Sequence, residues 1–295
     1  MSDRPRRSVL YMPASNAKAL AKAASLPADA LILDLEDSVA PEAKTMARAQ
    51  AVEAVGRDFG GREVVIRVNG PHTPWGADDL IAAAAAGPDA ILLPKVDSAG
   101  DVMLAARVLR DNGAPDKTRL WAMMETPNAI LNAGQIAAVA ADSASRLATL
   151  VMGLNDLAKE TRARLTPGRP TMLAWIANCV VAARAHHVDI IDGVYNDIQD
   201  LDGFRAECLQ GRDMGLDGKT LIHPTQIAIC NEAFAPSAAE IDAARAIVEA
   251  FAAPDNAGKG AIQLNGKMVE LLHADMARRT LAIAEAIAAR SREAA

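Results

Sequence analysis

Short apolar runs recur along the chain, and each is followed by a turn and then by a longer segment with helical spacing of its apolar positions. The runs are almost continuously apolar, which is typical of parallel strands covered on both faces. The pattern predicts strands at 8–12, 30–35, 63–68, 90–93, 120–124, 149–152, 189–191 and 219–222. It predicts helices between them at 16–25, 42–57, 78–86, 98–112, 128–140, 171–186 and 201–214.

Eight strand–helix units over about 225 residues predict an α/β protein with the (β/α)8 TIM-barrel fold. A doubly wound open sheet is the rival architecture, but no glycine-rich phosphate fingerprint follows the first strand. After Pro224 the pattern changes to helices at 226–233 and 237–252, a loop at 253–260, a short strand at 261–264 and a final helix at 273–290. We therefore predict a barrel over residues 1–253. The C-terminal extension, 254–295, is expected to pack on or cap a neighbouring subunit.

Composition narrows the class of protein. The chain has 295 residues, of which 51% are hydrophobic, enough for one large α/β domain. A net charge of −6 argues against nucleic acid as a partner, because phosphate binding requires a basic face. No apolar run approaches the roughly 20 residues of a transmembrane helix, and the N-terminus has no signal-type apolar core. We expect a cytoplasmic protein with no membrane partner, whose three cysteines are free thiols.

Charged residues follow several of the predicted strands, at the edge where barrel enzymes carry their active sites. The carboxylates among them are Asp34, Glu36, Asp37, Glu125 and Asp156. Five carboxylates cannot remain ionised together in a cleft without counter-charge. Arg67, Lys95 and a divalent cation would supply it. Oxygen ligands without a useful His or Cys favour a hard ion, Mg²⁺ or Mn²⁺.

Each of these residues also has a simpler interpretation. Glu125 could face the dipole of the following helix, and Asp156 could cap a turn. Because both directly follow buried runs on adjacent strands, we predict that together they bind the metal. Glu36 and Asp37 could form a solvated turn, or could be catalytic by orienting metal-bound water.

Two basic residues at strand ends have different predicted roles. Arg67 lies between Ile66 and Val68, which places it at the barrel mouth. Lys95 could serve as a Schiff-base lysine if its pKa were lowered, but the neighbouring carboxylates would raise that pKa. We therefore interpret Lys95 as a counter-charge within the catalytic site.

With these residues identified, the chain resembles the citrate lyase β-subunit-like family within the HpcH/HpaI aldolases, which includes malyl-CoA and citramalyl-CoA lyases. The matching segments occur in order along nearly the whole chain. They are RSVLYMP at 7–13, LDLEDSV at 33–39, IRVN at 66–69, LPKV at 93–96, METP at 124–127, GLNDL at 153–157, DGK at 217–219, IHP at 222–224 and GKMV at 266–269.

The resemblance implies a trimeric or hexameric barrel with Mg²⁺ on Glu125 and Asp156 and with Arg67 at the substrate. It also implies that the C-terminal segment reaches the active site of a neighbouring subunit. Glu270 stands where several lyases of this family carry a catalytic aspartate, and Ala14 stands where the family often has glycine. The change at Glu270 leaves open which substrate, or even which thioester reaction, this chain serves.

The expected activity is Mg²⁺-dependent cleavage of a 3-hydroxy-3-carboxyacyl-CoA into acetyl-CoA and a 2-oxo acid. Arg67 would stabilise developing negative charge, and Glu270 would transfer a proton to the enolate carbon. Basic residues near the N-terminus could bind the coenzyme A phosphates; they are Arg4, Arg6, Arg7, Lys18 and Lys22, with Lys44 and Arg48 as further candidates. The alternatives are a carrier-protein-dependent citrate lyase β subunit, a metal-dependent aldolase acting on free 2-oxo acids, and a non-enzymatic binding protein.

Overall fold

The structure is a computed structural model and describes residues 4–293. Eight parallel strands form a closed barrel in chain order, with the first strand pairing with the last. The strands are β1 (Ser8–Pro13), β2 (Ala30–Asp34), β3 (Glu63–Arg67), β4 (Ala90–Leu93), β5 (Arg119–Met124), β6 (Leu147–Met152), β7 (Asp189–Asp192) and β8 (Gly218–Leu221). The predicted TIM barrel is confirmed.

Helices follow the strands and cover the outside of the barrel. They are α1 (Ala17–Ala23), α2 (Lys44–Val55), α3 (Gly76–Ala86), α4 (Ala99–Asp111), α5 (Pro127–Leu131), α6 (Ala133–Ala138), α7 (Leu154–Thr161), α8 (Leu173–Ala185), α9 (Leu201–Asp213) and α10 (Gln226–Ala233). The single helix predicted over 128–140 is divided at Asn132, whose φ of −100° and ψ of 9° end α5 before α6 begins. Helix α7 was not predicted; it is amphipathic but only eight residues long.

Alternation along the strands divides the core into two layers. One set of side chains faces the helices, and the set one residue away fills the barrel interior. The interior layer contains Val9, Ile32, Val65, Leu92, Trp121, Met123, Val151 and Ile191. Continuing this alternation by two residues along β2, β3 and β5 reaches Asp34, Arg67 and Glu125. Because every second residue of a strand points into the barrel, these three charged side chains lie inside the barrel at its mouth.

The chain divides into two compact units, one of which runs from Arg6 to Phe234. The other unit combines Arg4 and Pro5 with the residues from Ala235 onward. It contains α11 (Ala238–Ala252), a hairpin of β9 (Ala261–Leu264) and β10 (Lys267–Glu270), and α12 (Leu271–Glu293). The sequence placed the start of the extension at 254. The boundary in the structure lies earlier because α11 packs with α12 in the second unit.

The hairpin in the second unit has a clear local cause. Asn265 and Gly266 both have positive φ, 51° and 78°, and join two strands through a two-residue turn. Asn-Gly is the sequence most typical of such turns. Strand β10, which carries Glu270, was missed because this turn signal was not used. Within residues 4–293, every helix is too short or too polar to cross a membrane.

Candidate active site

A cleft of about 270 Å³ lies at the carboxyl ends of the strands. Its lining combines residues that end the strands with residues of the loops after β2, β6, β7 and β8 and of the first turn of α7. The lining residues are Tyr11, Asp34, Asp37, Ser38, Arg67, Met123, Glu125, Met152, Gly153, Leu154, Asn155, Asp156, Val194, Asn196, Thr220 and Ile222. The barrel mouth therefore carries both charged groups and an apolar wall, as enzyme clefts do.

Arg67 organises the acidic residues that follow β2. Its Nε and Nη2 donate to the two oxygens of Asp34 at 2.6 and 2.7 Å. Its Nη1 lies 2.9 Å from Glu36 Oε2 and 3.2 Å from Asp37 Oδ2. Because the guanidinium is a planar fork, this bidentate pairing fixes its orientation as well as its charge. Arg67 is thus a buried, preoriented cation on the cleft wall.

Lys95 organises the second group of acids, on the other side of the cleft. Its ammonium lies 2.7 Å from Asp156 Oδ1 and 3.5 Å from Glu125 Oε1. Its backbone N–H also donates to Glu125 Oε1 at 2.8 Å. A Cβ at Gly153 would lie 2.4 Å from the Glu125 Cβ, so only glycine permits this approach. The positions of Glu125 and Asp156 therefore depend on both Lys95 and Gly153.

Burial and charge shift the acidities in the cleft. Burial raises the pKa of Glu125 to about 7, against the lowering effect of Lys95. Burial, aided by neighbouring carboxylates, raises the pKa of Glu36 to about 8 and outweighs Arg67. Burial would also raise the pKa of Asp34, but the Arg67 guanidinium holds it below its ordinary value. Strongly shifted carboxyls in one cleft are characteristic of functional sites.

The residues present fit a hard divalent cation. Glu125 Oε2 is buried and has no hydrogen-bond partner among the described residues. A cation, the Lys95 ammonium, already lies close to the Glu125 and Asp156 carboxylates. No cluster of three or more His, Cys, Asp or Glu side chains suited to a metal occurs in residues 4–293. Two carboxylates leave the remaining positions for water and substrate oxygens, which is the usual arrangement for Mg²⁺.

The structure brings together all seven charged residues that the sequence placed at the strand ends, and the five acids divide between the two basic side chains. Asp34, Glu36 and Asp37 lie with Arg67, whereas Glu125 and Asp156 lie with Lys95. Among the acids, Glu125 is fully buried and the Asp37 side chain is 69% exposed. The acids therefore extend from the interior to the rim.

The other predicted site residues are not among those that line this cleft. Arg7 precedes β1, at the opposite end of the barrel, where it forms an ion pair with Asp29 at 2.9 Å. Lys18 and Lys22 are exposed on α1. Glu270 ends β10 in the second unit, and its backbone N–H donates to His273 Nδ1 at 3.0 Å. The structure does not bring Arg6 or Arg7 to the cleft, because Arg6 is buried at that same opposite end, where it pairs with Glu63 and Asp189.

Two further candidates for the coenzyme A phosphates have structural partners instead. The Lys44 ammonium is buried and donates to three oxygens, the carbonyls of Leu35 and Glu36 and the side chain of Asn69. Arg48 donates to Asp79 at 2.6 Å. The interpretation of Lys44 as a phosphate ligand is wrong, because all three of its N–H groups are already used within the fold.

Sequence reasoning missed several residues of the cleft. Tyr11 is two residues after Val9 and therefore points into the barrel as Val9 does. The alternation along β1 could have identified it as a residue of the cleft. Gly153 lies within a motif that the sequence analysis cited for its acid alone. Asn196 follows β7, where no strand-end residue was singled out, and it exchanges two hydrogen bonds with Asn155. No sequence signal identifies that amide pair.

Comparison with known proteins agrees with this geometry. A family model described as HpcH/HpaI aldolase/citrate lyase matches residues 7–224. A (3S)-malyl-CoA thioesterase of Cereibacter sphaeroides is 51% identical over 97% of this chain and 96% of its own length. An L-malyl-CoA/beta-methylmalyl-CoA lyase of the same species is 34% identical over 97% of this chain and 96% of its own length.

A solved structure is also similar over nearly the whole chain. Protein CitE from Mycobacterium tuberculosis, in complex with magnesium, acetoacetate and coenzyme A, matches with a TM-score of 0.78 and 29% identity. The match covers 96% of this chain and all of that one. With 218 consecutive residues, 7–224, matched by the family model and relatives above 30% identity over almost the full length, the chain belongs to the HpcH/HpaI aldolase/citrate lyase family of enzymes.

Proposed function

We propose that this lyase-family enzyme is Mg²⁺-dependent and acts on a 3-hydroxy-3-carboxyacyl-CoA thioester of the malyl-CoA or citramalyl-CoA type. One observation carries the proposal: the acidic residues of the cleft form two groups, one around Arg67 and the other around Lys95. Arg67 is held by Asp34, and the Glu125–Asp156 pair has an unpartnered buried oxygen. The first presents a fixed positive charge, and the second suits a divalent cation.

Glu125 and Asp156 would hold the metal, which when bound supplies Lewis-acid polarisation of the substrate's carboxylate and hydroxyl oxygens. Binding would displace the Lys95 ammonium from between the carboxylates. Lys95 and Arg67 then offset negative charge on the substrate. Glu36 and Asp37, beside Arg67, are the acids available to accept or return a proton at the substrate hydroxyl or at a water molecule.

Two outcomes are chemically open to this site. In cleavage, a base takes the hydroxyl proton and the bond from the carbinol carbon to the neighbouring CH2 breaks. A 2-oxo acid leaves, and the acetyl-CoA enolate accepts a proton at carbon. In hydrolysis, water adds to the thioester carbonyl, the C–S bond breaks, and free coenzyme A leaves with a hydroxy diacid. Cleavage is the first candidate function. Hydrolysis is the second, because this chain is more similar to the malyl-CoA thioesterase, at 51% identity, than to the malyl-CoA lyase, at 34%.

The test is to incubate the purified protein with Mg²⁺ and either malyl-CoA or citramalyl-CoA, and to measure free thiol and 2-oxo acid separately. Cleavage produces glyoxylate or pyruvate without thiol, whereas hydrolysis produces thiol without 2-oxo acid. The control is Glu125→Gln, which should lack whichever of the two activities the wild-type protein shows. Absence of both products with wild-type protein would contradict the proposal.

We further propose an obligate homo-oligomer, a trimer or hexamer, in which Glu270 serves the active site of a neighbouring subunit. Its location in a separate compact unit, at the end of a hairpin strand, supports this proposal. Mixing Glu270→Ala with Glu125→Ala subunits, after dissociation and reassembly, should restore part of the activity. Verified mixed oligomers without activity would show that Glu270 acts in its own chain or is not required.

The exposed Lys18 and Lys22 remain proposed ligands of the coenzyme A phosphates.

A further inference from the structure

Tyr11 lies on the wall of the cleft beside Arg67. The Arg67 guanidinium carbon is 4.7 Å from the centroid of the Tyr11 ring, so the cation packs over the aromatic face. Tyr11 is partly exposed and lines the cleft two residues beyond Val9, on the interior face of β1. The ring thus helps to hold Arg67.

The Tyr11 hydroxyl forms no hydrogen bond with any residue in 4–293. The other tyrosine of the chain differs, because the Tyr195 hydroxyl donates to Asp200 at 2.6 Å. Burial raises the pKa of the Tyr11 phenol well above its ordinary value, outweighing the lowering effect of Arg67. At neutral pH the group is therefore a neutral O–H donor without a partner.

The other polar side chains of the cleft have their donors engaged. Ser38 Oγ donates to Asp34 at 2.5 Å, and Thr220 Oγ1 donates to the Asp192 carbonyl at 2.9 Å. The amides of Asn155 and Asn196 donate to each other at 3.0 and 2.9 Å. Arg67 directs all three of its nitrogens to carboxylates. A substrate oxygen that needs a neutral donor finds one at Tyr11.

We propose that Tyr11 is a further catalytic residue, which donates a hydrogen bond to the thioester carbonyl oxygen of the substrate. This inference rests on the proposed function. The thioester oxygen becomes negative in both outcomes, as an enolate in cleavage and as a tetrahedral oxyanion in hydrolysis. A preoriented neutral donor stabilises that charge where the surrounding carboxylates would repel it. The proton remains on Tyr11 throughout, and no bond to the protein forms.

The decisive variant is Tyr11→Phe, which keeps the ring against Arg67 and removes only the hydroxyl. We expect kcat to fall about 10²-fold with little change in KM, as for loss of one oxyanion donor. Tyr195→Phe is the matched control, since it removes the same atom from a partly buried tyrosine that is not among the lining residues of the cleft, and its kcat should equal that of wild type. Folding is checked by the melting temperature of both variants.

A binding measurement separates contact with the thioester from an effect through Arg67. Two coenzyme A analogues are compared, a ketone with CH2 in place of sulfur and S-ethyl-CoA, which lacks the carbonyl oxygen. Tyr11→Phe should weaken binding of the ketone about fivefold, the value of one hydrogen bond, and leave S-ethyl-CoA unchanged. Equal losses with both analogues, or a kcat equal to wild type, would overturn the assignment while the proposed function stands. A wild-type protein without turnover would overturn both.

Discussion

The barrel interior has a charged cluster at each end, and the two differ in how completely their charges are paired. The lower cluster, at the amino ends of the strands, consists of Arg6, Glu63 and Asp189. The upper cluster, at the carboxyl ends, consists of Asp34, Glu36, Asp37, Arg67, Lys95, Glu125 and Asp156. Between them lies the apolar layer that includes Trp121 and Val151. The strand residues of both clusters belong to the set of alternate residues that point into the barrel.

The lower cluster is a closed ion network. Arg6 donates through Nε and Nη2 to both oxygens of Glu63, at 2.7 and 2.8 Å, and through Nη1 to Asp189. Its guanidinium also lies 5.3 Å from the centroid of the Trp121 ring. Every partner is almost fully buried. Such a network fixes geometry but offers nothing to a ligand.

The upper cluster has two cations, Arg67 and Lys95, for five carboxylates. Two of those carboxyls, Glu36 and Glu125, have pKa values raised to about 8 and about 7, with burial as the main cause. Glu125 keeps one buried oxygen without a partner among the described residues. The carboxylates outnumber the cations by three in the upper cluster (five against two) and by one in the lower cluster (two against one). The comparison teaches that the candidate functional end differs from the structural end by a larger deficit of positive charge, which a divalent metal ion would reduce.

The largest effect is expected when the proposed metal site is removed. Glu125→Gln, or chelation of the wild type, should lower kcat/KM by about 10³-fold or more, since Lewis-acid stabilisation supplies several kcal/mol. Mg²⁺ add-back should rescue the chelated wild type and not the variant. Glu160→Gln, at an exposed position of α7, is the control. Full activity in chelator, with borohydride trapping of substrate on Lys95, would instead favour Schiff-base chemistry.

The two clusters also show what the sequence could and could not reveal. Strand-end charges such as Arg67 and Glu125 were predictable, because each directly follows an apolar run and barrel sites lie at that edge. Arg6 was not, because a basic residue before a strand looks like part of a solvated N-terminus until Glu63 and Asp189 are brought to it. The partition of the acids between Arg67 and Lys95 depends on side-chain geometry, which no spacing encodes.

The next largest effect is expected from opening the lower cluster. Arg6→Met keeps much of the side-chain volume but leaves Glu63 and Asp189 buried without their cation. We expect the free energy of unfolding to fall by about 3–5 kcal/mol, while kcat/KM of the folded protein is retained. Urea unfolding followed by circular dichroism measures the change. Arg57→Met, which breaks an exposed pair with Glu53, should cost no more than about 1 kcal/mol. Equal stabilities of the two variants would mean that the lower cluster is not structural.

A smaller effect is expected when the charge of Arg67 is kept but its fork is lost. Lysine cannot bind both oxygens of Asp34 and also reach the cleft, so Arg67→Lys should lower kcat by about 10²–10³-fold. Steady-state kinetics on the preferred thioester measure this loss. Arg146→Lys, a largely buried arginine outside the cleft, controls for the chemical change itself. If only KM rises and kcat is retained, Arg67 binds the substrate and does not act in the transition state.

The smallest effect concerns the pH dependence of the lower cluster. Burial and the nearby Asp217 raise the pKa of Asp189 to about 6, against the lowering effects of Arg6 and Arg184. Since the folded-state pKa lies above the ordinary value of 3.8, folding favours the protonated acid. This contribution to stability is fully present below about pH 4 and is lost as the pH rises through 6. Asp189→Asn removes the titration.

The stability of Asp189→Asn relative to wild type should therefore increase between pH 4.5 and about pH 7, where only the wild type must ionise a buried acid. Urea midpoints of both proteins across this range give the difference, in which the titration of all other groups largely cancels. Asp58→Asn, which changes an exposed acid in the loop after α2, is the control for the substitution itself. A constant difference for Asp189→Asn would mean that Arg6 holds Asp189 ionised throughout. The lower cluster would then be a fully charged network, in contrast to the upper cluster, where burial raises the pKa of Glu36 and of Glu125.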